Sequence, residues 1–287
     1  MRFIFFISLA LTMSAFAQET LIEASAVVAQ GKDLFITGDE NSSGLWKVTD
    51  AGTVSVVPFE ISSFKQEPQD IEGLARFGED KFLLLTSMSL TKKGKYKAER
   101  DQLTVLKLTA HQTLEAQASI SLRSRLLDHL EGQLGEKIDR KIMREALPDL
   151  GGLNVEGLAY SCGTIYLGLR SPVTKSGEAI IVPLTGFGTP SEKLLPPFLV
   201  SIGGRGVRGL EETHGCGMMV LSGPTGDAHK VSFALGYFAE GTYVINILRD
   251  FQKLLRPEGL TYLGDELIFV QDFEAGESDA AVIRIKI

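Results

Sequence analysis

The sequence predicts an all-β fold, a β-propeller of five blades, with six as the alternative count. Three observations carry this. One phrase returns four times, as Asp70-Ile71-Glu72-Gly73-Leu74, Asn154-Val155-Glu156-Gly157-Leu158, Gly206-Val207-Arg208-Gly209-Leu210 and Arg256-Pro257-Glu258-Gly259-Leu260, with a weaker fifth copy near Ala26. Each copy leads into a short apolar run, a turn containing Gly, and a second apolar run. The copies recur at roughly 50 residues, the signature of one supersecondary unit stacked on itself.

The elements follow in order. Residues 1–17 read as a secretory signal peptide: Arg2 gives the positive start, Phe3 to Ala10 the apolar stretch, and Ala15-Phe16-Ala17 the cleavage signal. The apolar stretch is too short to cross a bilayer, and no later stretch is long enough, so residues 18–287 are expected to form a single exported domain with no membrane span. In the first unit Gly31-Lys32-Asp33 is a turn and Leu34 to Thr37 a strand. In the second, Gly73 to Phe77 and Lys81 to Thr86 flank the turn Gly78-Glu79-Asp80, and Gln102 to Leu108 and Leu114 to Leu122 complete it. The third continues through Ile165 to Leu169, Ala179 to Leu184 and Phe198 to Ile202. The fourth runs through Met218 to Leu221, Val231 to Phe238 and Thr242 to Arg249. Apolar runs of this length bounded by Gly and Asp are strands, and four antiparallel strands per unit make a blade. The last unit, with Leu267 to Val270 after the turn Gly264-Asp265, has chain for only three strands. Thr20 to Glu23 is expected to supply its outer strand, closing the ring and removing the open sheet edges.

The step from Gly73 to Gly157 is about 84 residues, which reads as one blade plus an insertion at 123–148. There the apolar period becomes helical. Leu126, Leu127, Leu130, Leu134, Ile138, Ile142 and Leu147 mark two short helices, broken near Gly132 and Gly135 and stopped by Pro148. The insertion is either a lid over the channel or a cover for a blade edge.

Composition excludes some functions. The formal net charge is −7 over 287 residues, and losing residues 1–17 removes only Arg2, leaving −8. No basic cluster is interleaved with several aromatic residues; Lys92, Lys93, Lys95 and Lys97 form the one dense basic run and read as a solvated loop. Nucleic acid is therefore not an expected partner. Gly204 to Gly209 formally matches G-x-G-x-x-G, but it belongs to the repeat and no helix follows, so no nucleotide cofactor is expected. There is no G-x-S-x-G nucleophile elbow. Cys162 and Cys216 fall in the turn between the first two strands of consecutive units. In an oxidising compartment such a pair favours a disulfide, and the chain is expected to be periplasmic or secreted.

Blade topology puts Glu72, Glu156, Arg208 and Glu258 around one mouth of the central channel, where the second strands also end, at Asp39, Arg170, Ser222 and Asp272. Clustered carboxylates repel, and relief comes from a hard cation, from the arginines or from shared protons. Oxygen-rich clusters suit Ca²⁺ or another divalent cation, which makes Glu72, Glu156 and Glu258 candidate metal ligands. Glu156 and Glu258, with Arg170 and Arg208, are the candidate catalytic set: a general base or metal site beside guanidinium groups that orient an anion. Glu72, Asn154, Ser222, Asp272 and Asp39 are candidate ligand contacts. The other reading of each Glu is structural, as a cap on neighbouring backbone N–H groups, with Arg208 as a salt-bridge partner.

The string Asn154 to Ala159, then Tyr166-Leu167-Gly168-Leu169-Arg170-Ser171-Pro172, Val207 to Leu210 with Leu221-Ser222-Gly223-Pro224, and Pro257 to Leu260 resembles the DUF3616 family of exported bacterial proteins, whose function is unknown. It is similar, more distantly, to the "esterase-like activity of phytase" propeller family. The first resemblance implies a fold and a candidate site; the second implies a calcium-assisted phosphoester hydrolase. Taken together, the sequence expects an exported, monomeric propeller. Its function is either metal-assisted hydrolysis of a small anionic ester or phosphoester, or non-catalytic binding of a ligand or an envelope protein at the same mouth.

Overall fold

The computed structural model describes residues 23–38, 43–213, 216–226, 231–238, 246–251, 256–271 and 282–286. The expected signal peptide, most of the Thr20 to Glu23 segment, Asp39 and Asp272 lie outside the described residues.

Five antiparallel sheets account for the strands. The first holds β1 (Ala24–Gln30), β2 (Asp33–Gly38), β3 (Gly44–Val48) and β4 (Val54–Pro58). The second holds β5 (Ile71–Arg76), β6 (Lys81–Thr86), β7 (Leu103–Leu108) and β8 (Leu114–Ile120). The third holds β9 (Asn154–Ser161), β10 (Thr164–Ser171) and β11 (Glu178–Thr185), whose outer edge pairs with both β12 (Lys193–Leu194) and β13 (Phe198–Ser201). The fourth holds β14 (Gly206–Glu212), β15 (Met218–Gly223), β16 (Ala234–Phe238) and β17 (Asn246–Asp250). The fifth holds β18 (Pro257–Leu263), β19 (Glu266–Gln271) and β20 (Val282–Lys286).

The first strand of each sheet packs against the first strand of the next: β1 on β5, β5 on β9, β9 on β14, β14 on β18, and β18 back on β1. The sheets are therefore the blades of a closed five-bladed propeller. The long step in the repeat is a blade plus an insertion, as its helical period predicts.

The repeated phrase has a packing cause. A Cβ on Gly157 would stand 2.7 Å from Val207 Cγ1 and 3.0 Å from Leu210 Cγ of the fourth blade. A Cβ on Gly209 would stand 2.7 Å from Leu260 Cδ2 of the fifth. All three distances are shorter than packed carbons ordinarily show. The Gly of one blade thus receives the Leu of the next, and Gly73 and Gly259 do the same toward Leu158 and Ala26. Buried hydrophobic clusters fill the seams between adjacent blades, for example Leu106, Leu84, Phe82 and Phe35 between the first two.

The insertion contains α1 (Arg123–Leu134) and α2 (Arg140–Glu145). The first helix runs through Gly132 and ends at Gly135, whose φ of 55° takes the chain out of the helix. Its start is fixed by the Asp101 carboxylate, which accepts from the Leu122 and Arg123 amides at 2.8 and 2.7 Å. Leu126, Leu127, Leu130, Leu134 and Ile138 join one buried cluster with Leu85 and Leu103 of the second blade and Leu158 and Ile180 of the third. The second helix corrects the sequence reading: Ile142 is exposed and Met143 is the buried residue. The first helix of the insertion is a wedge filling the seam between two blades.

Candidate functional site at the channel mouth

Each innermost strand carries a bulge at its mouth end. In β9, Gly157 pairs with Gly168 and Val155 with Leu169, leaving Glu156 without a cross-strand partner. The same skip leaves out Glu72 in β5, Arg208 in β14, Glu258 in β18 and Ser25 in β1. A second skip, in β10, leaves out Arg170. In a flat strand these side chains would point into the seams between blades. The extra residue turns the side chain out of the pleat, and here Glu72, Glu156, Arg208 and Glu258 line one cavity on the propeller axis.

The ring order is Ser25, Glu72, Glu156, Arg208, Glu258. Arg208 therefore stands between two carboxylates. Its Nη1 donates to Glu156 Oε2 at 3.1 Å and to Glu258 Oε2 at 2.7 Å, tying the third, fourth and fifth blades together. Its Nη2 donates to the Pro224 carbonyl at 3.1 Å, and its guanidinium lies 5.5 Å from the Phe233 ring centroid. Glu72 and Glu156 are neighbours of like charge, and Arg170 offsets them. It donates to Glu156 Oε1 at 3.1 Å and to Asp149 Oδ1, at the end of the insertion, at 3.1 Å. Burial by itself would lower the Arg170 pKa, but Glu156, Glu258, Glu72 and Asp149 outweigh it and hold the guanidinium above its ordinary value. Asn154 completes the set by donating to Glu156 Oε1 at 2.9 Å. Ser25 closes the first blade onto the second through a 2.6 Å bond to the Ile71 carbonyl.

The central member of this network is Glu156, 3% exposed, with both oxygens engaged. A buried charge is tolerable only when paired in this way. Of the three means of relieving carboxylate repulsion, the geometry displays the guanidinium groups. Among the described residues, no group of three or more His, Cys, Asp or Glu side chains is arranged to hold a metal ion. The donor set of Glu72, Glu156 and Glu258 does not fit Ca²⁺, which takes six to eight oxygens, because Glu156 gives its oxygens to Arg170, Arg208 and Asn154.

The cavity is about 200 Å³, counting the solvent at its open end. Small-molecule sites begin at roughly 300 Å³. Asn154 Oδ1, Arg170 Nε and Arg208 Nε are buried without a hydrogen-bond partner. Groups of this kind need partners the size of water.

The structure thus brings Glu72, Glu156, Glu258, Arg170, Arg208 and Asn154 together. It turns Ser222 away: the side chain is 1% exposed and its hydroxyl donates to the Ala234 carbonyl at 3.1 Å, inside the sheet. Two members of the site went unread in the sequence. Ser25 precedes Ala26, the residue already aligned with Gly73, so its register with Glu72 was a usable signal. Asp149 arrives from the insertion, and no spacing announces it.

Cys162 and Cys216 form a disulfide, with Cα atoms 5.8 Å apart, at the opposite end of the propeller.

Residues 148–231 match the model of a protein family of unknown function, DUF3616. The match bears out that resemblance over the stretch holding Asn154, Glu156, Arg170 and Arg208; the phytase-like extension is not borne out. No curated protein matches the sequence. Among solved structures, a glutaminyl cyclase from Myxococcus xanthus is similar at 9% identity and a TM-score of 0.51, covering 96% of this chain and 94% of that one. An exo-β-1,3-galactanase from Phanerochaete chrysosporium, bound to β-1,3-galactotriose, is similar at 9% identity and a TM-score of 0.53, covering 96% of this chain but 63% of that one. At such identities the likeness concerns the fold alone.

Proposed function

We propose that this chain is an exported propeller of the cell envelope that works as a non-catalytic binding module, its mouth face meeting a partner's surface. The observation that carries this reading is the closed pairing of Glu156 with Arg170, Arg208 and Asn154. A general base must reach its proton, and an arginine that orients an anion needs free donors aimed at it. Here the candidate base and the candidate anion clamps are bonded to one another. The narrow cavity supports the same reading, since it leaves room for water-sized occupants but not for an ester with its leaving group. The disulfide and the absence, among the described residues, of a helix long and apolar enough to cross a membrane fit an exported chain.

The test is a panel of small anionic esters and phosphoesters, with and without added Ca²⁺. Wild type and Glu156→Gln are expected to be equally inactive, and the variant is expected to melt lower. Turnover by wild type that Glu156→Gln abolishes while keeping its fold would instead establish the hydrolase.

A further inference from the structure

We infer that the loop at 92–97 docks the propeller onto an anionic lipid bilayer, mouth face first. This rests on the reading that the mouth face meets a partner's surface and names that surface as a bilayer, although no residue of the charge network takes part.

The loop leaves the second strand of the second blade at the mouth end, between β6 and β7. Its sequence is Lys92-Lys93-Gly94-Lys95-Tyr96-Lys97, four cations and no anion in a chain of net charge −7. All six residues are exposed. The backbone is nevertheless fixed. Thr91 N donates to the Lys95 carbonyl at 2.9 Å, Gly94 N to the Thr91 carbonyl at 2.7 Å, and Lys95 N to Thr91 Oγ1 at 3.2 Å. Gly94 turns the tip with a φ of 68°. Lys97 Nζ reaches Gln69 Oε1 at 3.1 Å, joining the loop to the segment that leads into Glu72. The lysines are thus presented on a preformed tip instead of being scattered along a free coil.

Charge alone would suit any polyanion; the apolar neighbours favour a bilayer. Among the described residues five large hydrophobic side chains are exposed, and three of them, Tyr96, Ile142 and Leu150, lie on this loop, on the adjoining insertion and just after it. The Tyr96 hydroxyl bonds Asp101 at 3.1 Å, which leaves its ring, 54% exposed, standing between Lys95 and Lys97. Arg123 couples the two segments, donating to the Met88 carbonyl on one side and to the Arg144 carbonyl at 3.1 Å on the other. A side chain with an apolar body among lysines is suited to the headgroup level of a membrane. A juxtamembrane lysine gains about 1 kcal/mol, roughly fivefold in affinity, near an anionic leaflet.

The experiment is co-sedimentation of the mature chain with vesicles of phosphatidylcholine alone or mixed with phosphatidylglycerol, at low and high salt. Binding to the mixed vesicles that salt weakens, and no binding to phosphatidylcholine, is expected. The quadruple variant K92Q/K93Q/K95Q/K97Q should lose about 100-fold or more in affinity, with an unchanged melting temperature as the check on folding. Tyr96→Ala should lose only a fewfold. No binding to the mixed vesicles, binding untouched by the quadruple variant, or capture of soluble polyphosphate without any vesicle binding would each overturn the inference.

Discussion

At the mouth, Arg208 joins three blades through Glu156 and Glu258. At the hairpin end, Cys162 and Cys216 join the third and fourth blades covalently, and Glu211 joins the fourth to the fifth. Glu211 Oε1 accepts from Thr261 Oγ1 at 2.8 Å and from the Tyr262 amide at 3.3 Å, while Thr261 Oγ1 accepts from the Ala29 amide of the first blade at 3.1 Å. Both ends therefore stitch the seams near ring closure, but they treat charge differently. Mouth carboxylates are bonded to guanidinium groups. The Glu211 carboxyl has only neutral donors, with Arg76 acting from a distance, so burial pushes its pKa up to about 7. A carboxylate turned by a bulge toward the axis can meet a cation delivered by the next blade, whereas one left inside a seam meets only what the neighbouring strand offers.

This contrast can be broken most forcefully at Arg208. Arg208→Met leaves the buried Glu156 and the half-buried Glu258 without their shared cation. Loss of one partner of a buried pair costs about 3–5 kcal/mol, and urea unfolding should read a drop of that size. Cys162→Ser with Cys216→Ser releases a crosslink spanning 54 residues; a loss of about 2–4 kcal/mol is expected, read as a lower melting temperature that reducing agent reproduces in wild type. Gly157→Ala tests the seam between the two ends. Its Cβ would press on Val207 and Leu210, and overpacking of this kind costs about 1–3 kcal/mol.

The pH dependence at Glu211 is the most diagnostic of the difference. Glu211 has a folded pKa of about 7 against an ordinary 4.5. The folded state thus holds a proton that the unfolded chain releases between those values, and stability is lost as pH rises from about 4.5 through about 7. Glu211→Gln keeps an acceptor for Thr261 and Tyr262 and removes the burden of burying a charge. It should melt higher than wild type at pH 8, equal it near pH 4, and flatten the pH profile between. A profile unchanged by the substitution would mean that the carboxyl stays charged in its seam.

The fold was legible because four of the five blades repeat one phrase for one packing reason: a Gly at the seam, closely filled by the next blade. The ring of Glu72, Glu156, Arg208 and Glu258 was legible for the same reason, since equivalent positions in equivalent blades converge on the axis. The bulges that aim those side chains were not, because a one-residue skip leaves no mark in an apolar run. Ile142 was misread because α2 is too short for its period to tell one face from another, and its neighbour Met143 fits the seam. The charge pairing could not be read either. Sequence places carboxylates and guanidinium groups at one opening, but whether they bond one another or leave room for a metal depends on distances of about an ångström.

The central claim is that the mouth charges hold blades to one another. A double-mutant cycle of Glu156→Gln and Arg208→Met, followed by urea unfolding with Ca²⁺ and again with EDTA, measures it directly. A coupling energy above about 1.5 kcal/mol that does not depend on Ca²⁺ is expected for a buried bonded pair. Additive effects, together with a wild-type stability that rises with Ca²⁺ and falls with EDTA, would show that the carboxylates serve a metal instead.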